Sequence, residues 1–545
     1  MGKNIIGKQS ILREIPSTEE MLQFNKTTAL LSSFPRSMVV GVTRNVLETL
    51  RQKIKALDKS PHQYIPTPKF RCEGYIGVRD KSPARLGARS GGDVDNFVLP
   101  DKNEISSQIE NEVRNKMIPQ FRKVINATGI VLHTGLGRAV LPSQVMDSFN
   151  KHLRGYTRLA IDIKTGLRKD RDKTIENLIC EITGAEAATI VNNNAAATIL
   201  ILNTLAKRKN VICSRGQMVE IGGSFRIPEI MEISMAKLKG VGTTNCTHLK
   251  DYENAITDET GALLRVHTSN FRIVGFTSGV PINDLVKLGH KHKLPVIDDL
   301  GSGALIELSH YGLSDPLVSD SVKAGADVIC FSADKLMGGP QGGIIIGRKK
   351  YIELIRKNPL YRAFRVSKLA LIALEETLKL FRDKETVLQL NPTLRMLTAD
   401  IKTLQERAQT LKNKLESLNK FPLIKEGTTP IPPLLREIKG GTTPIPPLLR
   451  GIKGVVLEVE IIDESSQAGS GSLAGYTIPT KAIALKSKTI SSQKLAEKLR
   501  EREIPIFTRL KDNKVLLDMR TIQEEEETEI INALLVVSEA NLSEK

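Results

Sequence analysis

The chain has 545 residues, of which 40% are hydrophobic, and its formal net charge is +18. This length allows a large core and about two to four domains. The charge favours a polyanionic partner, with nucleic acid as the first candidate, although a generally basic proteome explains the same excess. No apolar run reaches the ~18 residues of a membrane span, and the N-terminal segment lacks the apolar core of a secretory signal. We therefore expect a cytoplasmic protein.

The cysteines are scattered along the chain and form no closely spaced pairs. This spacing favours reduced, mostly buried thiols over disulfides, and it predicts no metal site. The positions are Cys72, Cys180, Cys213, Cys246 and Cys330.

The N-terminal part divides into three segments by composition. Residues 1–57 predict a small, basic helical domain, with a helix start at 18–21 and helical apolar spacing at 44–54. Residues 58–100 are rich in proline, glycine and charge, which is typical of a flexible insertion. Residues 101–120 are expected to form a linker helix.

The central region, residues 121–390, alternates apolar, β-branched runs with amphipathic stretches. Strands that are buried on both faces and separated by helices predict a mainly parallel sheet, and therefore an α/β fold with helices on both faces. The predicted strands are 189–191, 211–213, 263–267, 295–298, 328–331 and 343–347.

The C-terminal part, residues 391–545, is predicted to begin with helices and to end as a small α+β domain. Its apolar runs at 455–461, 482–485 and 514–520 predict strands. The run GTTPIPPLLR occurs twice, within residues 427–454. So short a repeat is no repeat architecture, and its prolines favour an extended surface insertion. A proline-motif ligand is the alternative.

Three predicted strand ends carry side chains that suit a phosphorylated cofactor with a pyridine ring. Lys335 follows a strand and a turn, and Ser332 before it is placed to bind a phosphate. The acidic pair 298–299 ends another strand, where a carboxylate can hold a protonated pyridine nitrogen. A third strand leads into a helix start at Asn194 and Ala195, whose free N–H groups suit a phosphate. Ligands bind at this carboxyl edge in open α/β sheets.

The order of these features, helix start, acid and then lysine, is that of the type I PLP-dependent transferase fold. Longer motifs narrow the similarity, beginning with RKVINATGIVLHTGLGRA at 122–139. Together they resemble bacterial selenocysteine synthase, the L-seryl-tRNA(Sec) selenium transferase family. The other matching segments are 12–16, 182–188, 214–228, 241–245, 266–277, 299–303, 331–343 and 359–369.

The resemblance implies that Lys335 forms the internal aldimine with pyridoxal 5′-phosphate and then removes the α-proton of the seryl group. It also implies that an acid holds the pyridine nitrogen. Asp299 is the expected partner, and Asp298 is its competitor because adjacent strand residues face opposite ways. The expected phosphate contacts are Ser332 and the backbone near Asn194 and Ala195.

Three arginines, Arg138, Arg362 and Arg365, match family positions that form a cationic pocket for selenophosphate. A guanidinium is permanently charged and its fork fits phosphate oxygens. Arg362 and Arg365 would share one face if their segment is helical, and a solvated pair is the alternative reading. The motifs also contain residues to which the resemblance assigns no definite role, namely Arg215, Glu220, Arg226, Arg272, His133 and His267. Either histidine is a candidate for ring stacking or proton transfer, or is simply packed.

Two positions depart from the family pattern. Gly135 stands where asparagine is expected, and Cys246 stands where arginine is expected. The insertions 58–100 and 427–454 are not family features either. The insertion 58–100 follows the basic N-terminal domain, with which members of the family bind tRNA.

The function implied by the resemblance is conversion of L-seryl-tRNA(Sec) to L-selenocysteinyl-tRNA(Sec) with selenophosphate, through a PLP-bound dehydroalanyl-tRNA intermediate. The family also implies a homodecamer, built as a pentamer of dimers. Two alternatives stay open at this point. One is another type I PLP lyase or transferase that acts on a small amino acid, and the other is an inactive RNA-binding homologue.

Overall fold

The computed structural model describes residues 8–56, 98–418 and 457–539. Nearly all of the predicted insertion at 58–100, and all of the duplicated insertion at 427–454, lie outside these residues. The chain divides into two compact units, Met1–Arg122 and Lys123–Lys545, which are described separately. In the described ranges, no helix is both long and apolar enough to cross a membrane.

The N-terminal unit is helical, as predicted. Its helix α2 begins at Thr18 because the Ser17 side chain accepts a hydrogen bond from the Glu20 N–H (3.1 Å) and the Glu20 carboxylate accepts one from the Ser17 N–H (3.4 Å). This reciprocal pair satisfies two N–H groups that a helix start leaves open. The helices described in this unit are α1 Lys8–Glu14, α2 Thr18–Gln23, α3 Asn25–Ser33, α4 Arg36–Ala56 and α5 Lys102–Met117.

The helix expected to be a linker, α5, packs within this helical unit. Ile105, Ile109 and Val113 lie four residues apart, so they share one face, and that face is buried against the other helices. Thr27 of α3 and Ser106 of α5 form a buried hydrogen bond of 2.9 Å between their hydroxyls. The apolar spacing of α5 therefore gives it a place in a core.

The second unit contains a seven-stranded sheet in the order β2-β10-β9-β8-β7-β3-β6. Only β10 runs antiparallel to its neighbours; the other strands run in one direction. The predicted α/β class and the predicted central strands are confirmed. The strands are β2 Ala187–Val191, β3 Asn210–Ser214, β6 Lys237–Val241, β7 Thr260–Val266, β8 Val296–Gly301, β9 Val328–Ser332 and β10 Gly343–Gly347, with a separate hairpin of β4 Glu220–Ile221 and β5 Phe225–Arg226.

Helices cover both faces of this sheet. Along β9, Ile329 and Phe331 belong to one buried cluster, whereas Val328 and Cys330 belong to a second. Because successive residues of a strand face opposite ways, the two clusters lie on opposite faces. The helices of this region are α6 Ser143–His152, α7 Lys173–Thr183, α8 Asn194–Leu205, α9 Ile227–Ile233, α10 Leu249–Ala255, α11 Ile282–Lys291, α12 Val318–Lys323, α13 Lys349–Lys357, α14 Pro359–Ala363, α15 Lys368–Leu380, α16 Lys384–Leu390 and α17 Pro392–Thr398.

A five-stranded sheet, in the order β1-β13-β14-β12-β11, forms the smaller α+β part. Its edge strand β1 comes from the start of the predicted core segment and pairs in parallel with β13. Ile125 and Ala127 of β1 are fully buried in the same cluster as Ile506 and Leu517, which explains why β1 joins this sheet. The remaining elements are β1 Ile125–Ala127, α18 Ile401–Leu418, β11 Leu457–Ser466, β12 Ile478–Ser487, α19 Ser492–Arg500, β13 Ile506–Lys511, β14 Lys514–Asp518 and α20 Glu527–Glu539.

The direction of the strands positions the candidate site. Since β2, β8 and β9 run the same way, their carboxyl ends at Val191, Gly301 and Ser332 meet at one edge of the large sheet. The residues that follow these ends are therefore brought together.

Candidate active site

Lys335 lies in a tight turn directly after β9. Its carbonyl accepts a hydrogen bond of 2.8 Å from the Gly338 N–H, and the side chain is buried, with the residue 5% exposed. Burial lowers the pKa of Lys335; Arg138 lowers it further, whereas Asp334 raises it. Within the described part of the chain no hydrogen bond or ion pair joins its Nζ atom. A lysine amine that is partly unprotonated is a nucleophile for a carbonyl carbon.

Asp299, on β8, is held by three hydrogen bonds. Its Oδ1 accepts from Asn194 Nδ2 (2.8 Å) and from the Gly301 N–H (3.1 Å), and its Oδ2 accepts from Thr198 Oγ1 (2.9 Å). Burial raises the pKa of Asp299, and these three donors act in the opposite direction. The carboxylate is therefore fixed in orientation inside the protein, as the partner of a protonated ring nitrogen must be.

The structure shows that the two adjacent acids, Asp298 and Asp299, face opposite sides of the sheet. Asp298 faces the other side of the sheet, where its carboxylate pairs with Arg265 Nε at 2.8 Å and accepts from Ser321 Oγ at 2.6 Å. It is fully buried. Asp298 thus belongs to an ion pair behind the sheet, whereas Asp299 faces helix α8.

The start of α8 has backbone N–H groups that are free to bind a ligand at the carboxyl edge of the large sheet. The Asn193 side chain caps the helix by accepting from the Ala196 N–H at 2.8 Å, which leaves the N–H groups of Asn194 and Ala195 without an acceptor inside the helix. A Cβ at Gly343 would lie 2.2 Å from the Asn193 carbonyl oxygen, so only glycine lets β10 pass this helix start.

The polar groups here fit pyridoxal 5′-phosphate. Ser332, at the end of β9, is 7% exposed. The buried Asn194 Oδ1 has no hydrogen-bond partner within the described ranges, and burying such an atom without a partner is costly unless a ligand satisfies it. A helix start, a hydroxyl, a lysine and an oriented acid together match the phosphate, aldehyde and ring nitrogen of this cofactor.

Arg138 is paired with the residue next to the lysine. Its Nη1 lies 2.6 Å from Asp334 Oδ2, and its side chain stays 34% exposed. Its backbone is left-handed, with φ of 63°, at the end of a short turn that begins at Thr134. Arg138 therefore reaches the Lys335 turn, but one carboxylate already neutralises part of its charge.

Arg362 and Arg365 do not share a helical face. Helix α14 ends at Ala363, so it contains Arg362 only, and Arg365 instead forms a β-bridge with Val191. The chain leaves the helix here because the Phe364 carbonyl accepts from the Asn192 N–H at 3.0 Å. Both arginines are exposed, and the bridge brings Arg365 to the carboxyl end of β2.

Helix α14 is anchored by a cluster around the buried Asp172 that the sequence did not reveal; we call this cluster of Asp172, Thr189, Arg356 and Tyr361 the hub. Tyr361 donates from its hydroxyl to Asp172 Oδ2 at 2.7 Å, and Thr189 donates to the same atom at 2.5 Å. Arg356 Nε lies 3.5 Å from this oxygen. Asn358, just before the helix, donates to side chains of α8. The hub thus fixes the segment that carries Arg362.

Sequence reasoning missed Thr198, Ser302 and Asp315. Thr198 is one turn beyond Asn194 on α8, and this four-residue spacing was a usable signal for a shared contact with Asp299. Asp315 accepts a hydrogen bond from Ser302 Oγ at 2.5 Å, and it lies 3.2 Å from Nε2 of His267, the histidine that the sequence had singled out.

The motif residues without assigned roles make local contacts. Arg215 donates to the Gly242 carbonyl at 2.5 Å. Glu220 and Arg226 pair at 2.8 Å across the β4–β5 hairpin, and the Arg272 guanidinium lies 4.1 Å from the ring centre of Tyr476.

The two departures from the family pattern have local consequences. A Cβ at Gly135 would lie 3.3 Å from His133 Cε1, so any larger side chain there shifts the imidazole. His133 Nδ1 is buried without a partner within the described ranges. Cys246 Sγ lies 3.5 Å from the Phe276 carbonyl oxygen.

The fold and the site together define an α/β protein of the type I PLP-dependent transferase fold. The family model described as "L-seryl-tRNA selenium transferase" matches residues 124–428 and 434–523, and the model "Selenocysteine synthase N terminal" matches residues 12–51. The chain belongs to the L-seryl-tRNA selenium transferase family.

Known proteins are similar along nearly the whole chain. The L-seryl-tRNA(Sec) selenium transferase of Alkaliphilus metalliredigens is 40% identical over 98% of this chain and 100% of its own length. That of Alkaliphilus oremlandii is 41% identical over 97% and 99%. A solved D-glucosaminate-6-phosphate ammonia-lyase is 19% identical, with a TM-score of 0.49, over 77% of this chain and 96% of that chain. This last likeness is too weak to bear on function.

Proposed function

We propose that this chain converts L-seryl-tRNA(Sec) to L-selenocysteinyl-tRNA(Sec) in the cytoplasm, with pyridoxal 5′-phosphate as cofactor and selenophosphate as selenium donor. The observation that carries the proposal is the buried Lys335, which lies at the same sheet edge as the hydrogen-bonded Asp299. Membership of the family supports the choice of substrate.

Five residues would hold the cofactor. Lys335 would bind its aldehyde carbon through Nζ, and Asp299 would hold the proton on its ring nitrogen. Ser332 and the N–H groups of Asn194 and Ala195 would bind its phosphate. When bound, pyridoxal phosphate supplies an electron sink that stabilises negative charge on the substrate α-carbon.

Lys335 moves the first proton. Once the incoming seryl amino group has released the lysine amine, Nζ takes the proton from the seryl α-carbon, and the pKa of the lysine, lowered by burial, favours the neutral amine that this step needs. Asn194 and Thr198 keep the Asp299 carboxylate in one orientation. The protein thus contributes orientation and charge.

The arginines bind the selenium donor. Arg362 and Arg365 are free of ion pairs within the described ranges, and Arg138 lies beside the lysine turn. Guanidinium forks match phosphate oxygens in two-point contacts. The β-hydroxyl leaves as water, selenium adds at the β-carbon, and hydrolysis of the P–Se bond of selenophosphate releases phosphate, which completes the exchange of oxygen for selenium.

We propose that the basic segment 1–57 binds the tRNA. We also propose that the chain assembles as a homodecamer of five dimers. Apolar side chains exposed together on the segment 156–167 support assembly, because clustered exposed apolar side chains mark surfaces of contact between proteins. In this segment, Ile163 is 75% exposed.

The test is an assay of purified protein with seryl-tRNA(Sec) and selenophosphate, in which we expect selenocysteinyl-tRNA(Sec). Lys335→Ala should abolish both turnover and the cofactor's visible absorbance, whereas Lys287→Ala, at a lysine whose side chain is 79% exposed, should retain both. Borohydride reduction and peptide mapping should place the pyridoxyl group on Lys335. A pyridoxyl group on another lysine, or on none, contradicts the proposal.

A further inference from the structure

An open cavity of about 530 Å³ lies at the carboxyl edge of the large sheet. Gln341, from the glycine-rich stretch after Lys335, lines it together with Asn192, which follows β2, and Arg365. The cavity is therefore bordered by the lysine loop and by one of the proposed donor-binding arginines. Its volume falls within the range of about 300–1,000 Å³ that is typical of small-molecule sites.

The rest of the cavity wall is mainly apolar. It includes Phe149 from α6 and Leu369 and Ala370 from α15, two helices that pack against each other. Leu369 is 48% exposed although it is a large aliphatic side chain. An aromatic ring and an aliphatic surface offer a stacking platform, and two amides offer hydrogen bonds, which together suit an unstacked base at the end of a single-stranded RNA.

We propose that this cavity binds the 3′-terminal adenosine of the seryl-tRNA. The inference rests on the proposed function and deepens it, because it assigns a site to the nucleoside that carries the seryl ester. The serine is esterified to the terminal ribose, so the attached base must lie within a few bonds of the carbon on which Lys335 acts. The base stacks on the apolar wall, and the amides of Asn192 and Gln341 face its edge.

A thermodynamic cycle tests the assignment with the holoenzyme and two forms of deacylated tRNA(Sec), one intact and one without its terminal adenosine. Wild-type protein should bind the intact form about tenfold more tightly, which is the size of a single base-stacking contact. Leu369→Trp narrows the cavity from an exposed position and should bring this ratio close to one. Leu354→Trp is the matched control, since Leu354 is also 48% exposed but does not line the cavity, and it should keep the wild-type ratio.

A ratio near one in the wild type, or equal ratios in the two tryptophan variants, overturns the assignment. Occupation of the cavity by a segment of a second subunit would give the first of these results. If Leu369→Trp does not fold, Gln341→Ala takes its place, and an unchanged ratio in that variant overturns the assignment. Formation of selenocysteinyl-tRNA with a ratio near one leaves the proposed function standing, whereas no product and no binding of either tRNA overturns both.

Discussion

At the scale of single residues, the chemistry depends on which way two adjacent aspartates face. Asp299 accepts hydrogen bonds from Asn194 and Thr198 on α8, and Asp298 pairs with Arg265 on the far side of the sheet. Both carboxylates are buried. Because their partners differ, substitution of the two residues should have different consequences.

We expect Asp299→Asn to lower turnover by about 100-fold or more, because a neutral amide cannot stabilise the charge that the carboxylate stabilises. The protein should stay folded. Asp298→Asn should instead lower the free energy of unfolding by about 3–5 kcal/mol, because it leaves Arg265 without its buried partner. Steady-state kinetics and denaturant unfolding of both variants separate the two effects, and equal losses of activity at equal stability would contradict the assignment.

Asp334 lies next to Lys335 and raises the pKa of its amine. Asp334→Asn removes that stabilisation of the ammonium, so the pKa of Lys335 falls further and the neutral amine persists to lower pH. The pH midpoint for uptake of pyridoxal phosphate by the cofactor-free enzyme should therefore move to lower pH. Asp320→Asn, at an exposed carboxylate on α12, should leave the midpoint in place. A shift to higher pH would refute this reading.

At the scale of elements, the short helix α14 depends on contacts outside itself. A helix of one turn is not stable alone, and α14 is held at Tyr361 by Asp172 and at Asn358 by α8. Helix α8 in turn presents Asn194 and Thr198 to Asp299. Helix α8 therefore supports both Asp299 and the segment that carries Arg362 and Arg365.

Tyr361→Phe keeps the ring but removes the hydroxyl that Asp172 binds, which should lower the free energy of unfolding by about 1.5–3 kcal/mol. A second effect should be an increase of about tenfold in KM for selenophosphate, equivalent to about 1.4 kcal/mol of lost binding energy. The visible spectrum of the bound cofactor and KM for seryl-tRNA should not change. Tyr351→Phe on α13 is the matched control. An unchanged KM for selenophosphate in Tyr361→Phe would show that the hub serves stability alone.

At the scale of the whole molecule, the surface carries both a large positive charge and exposed apolar side chains. The net charge of +18 suits a tRNA substrate, whose affinity should fall steeply with salt as counterions are released. Between residues 156 and 167, four apolar side chains are more than half exposed, namely Tyr156, Ile161, Ile163 and Leu167. These surfaces are the candidates for contacts between subunits.

Ile163→Lys places a charge on this segment, so it should shift the assembly to a smaller mass in sedimentation experiments if the segment lies between subunits. Leu510→Lys, at an exposed leucine of the smaller sheet, is the control and should keep the wild-type mass. A wild-type mass for Ile163→Lys would exclude this segment from the interfaces.

The sequence by itself determined the α/β class, the central strands and the family, and it predicted a cofactor lysine just after one strand and an acid on another. It could do so because strand burial and motif order are local properties, written in consecutive residues. The tertiary structure alone decided that Asp299 rather than Asp298 faces α8, that α5 joins the helical unit, that β1 joins the smaller sheet, and that Arg365 lies outside a helix. Each of these depends on a partner distant in sequence, Thr198, Thr27, Ile506 and Val191 respectively. A hydrogen bond or a buried contact between distant residues leaves no periodic pattern in the sequence.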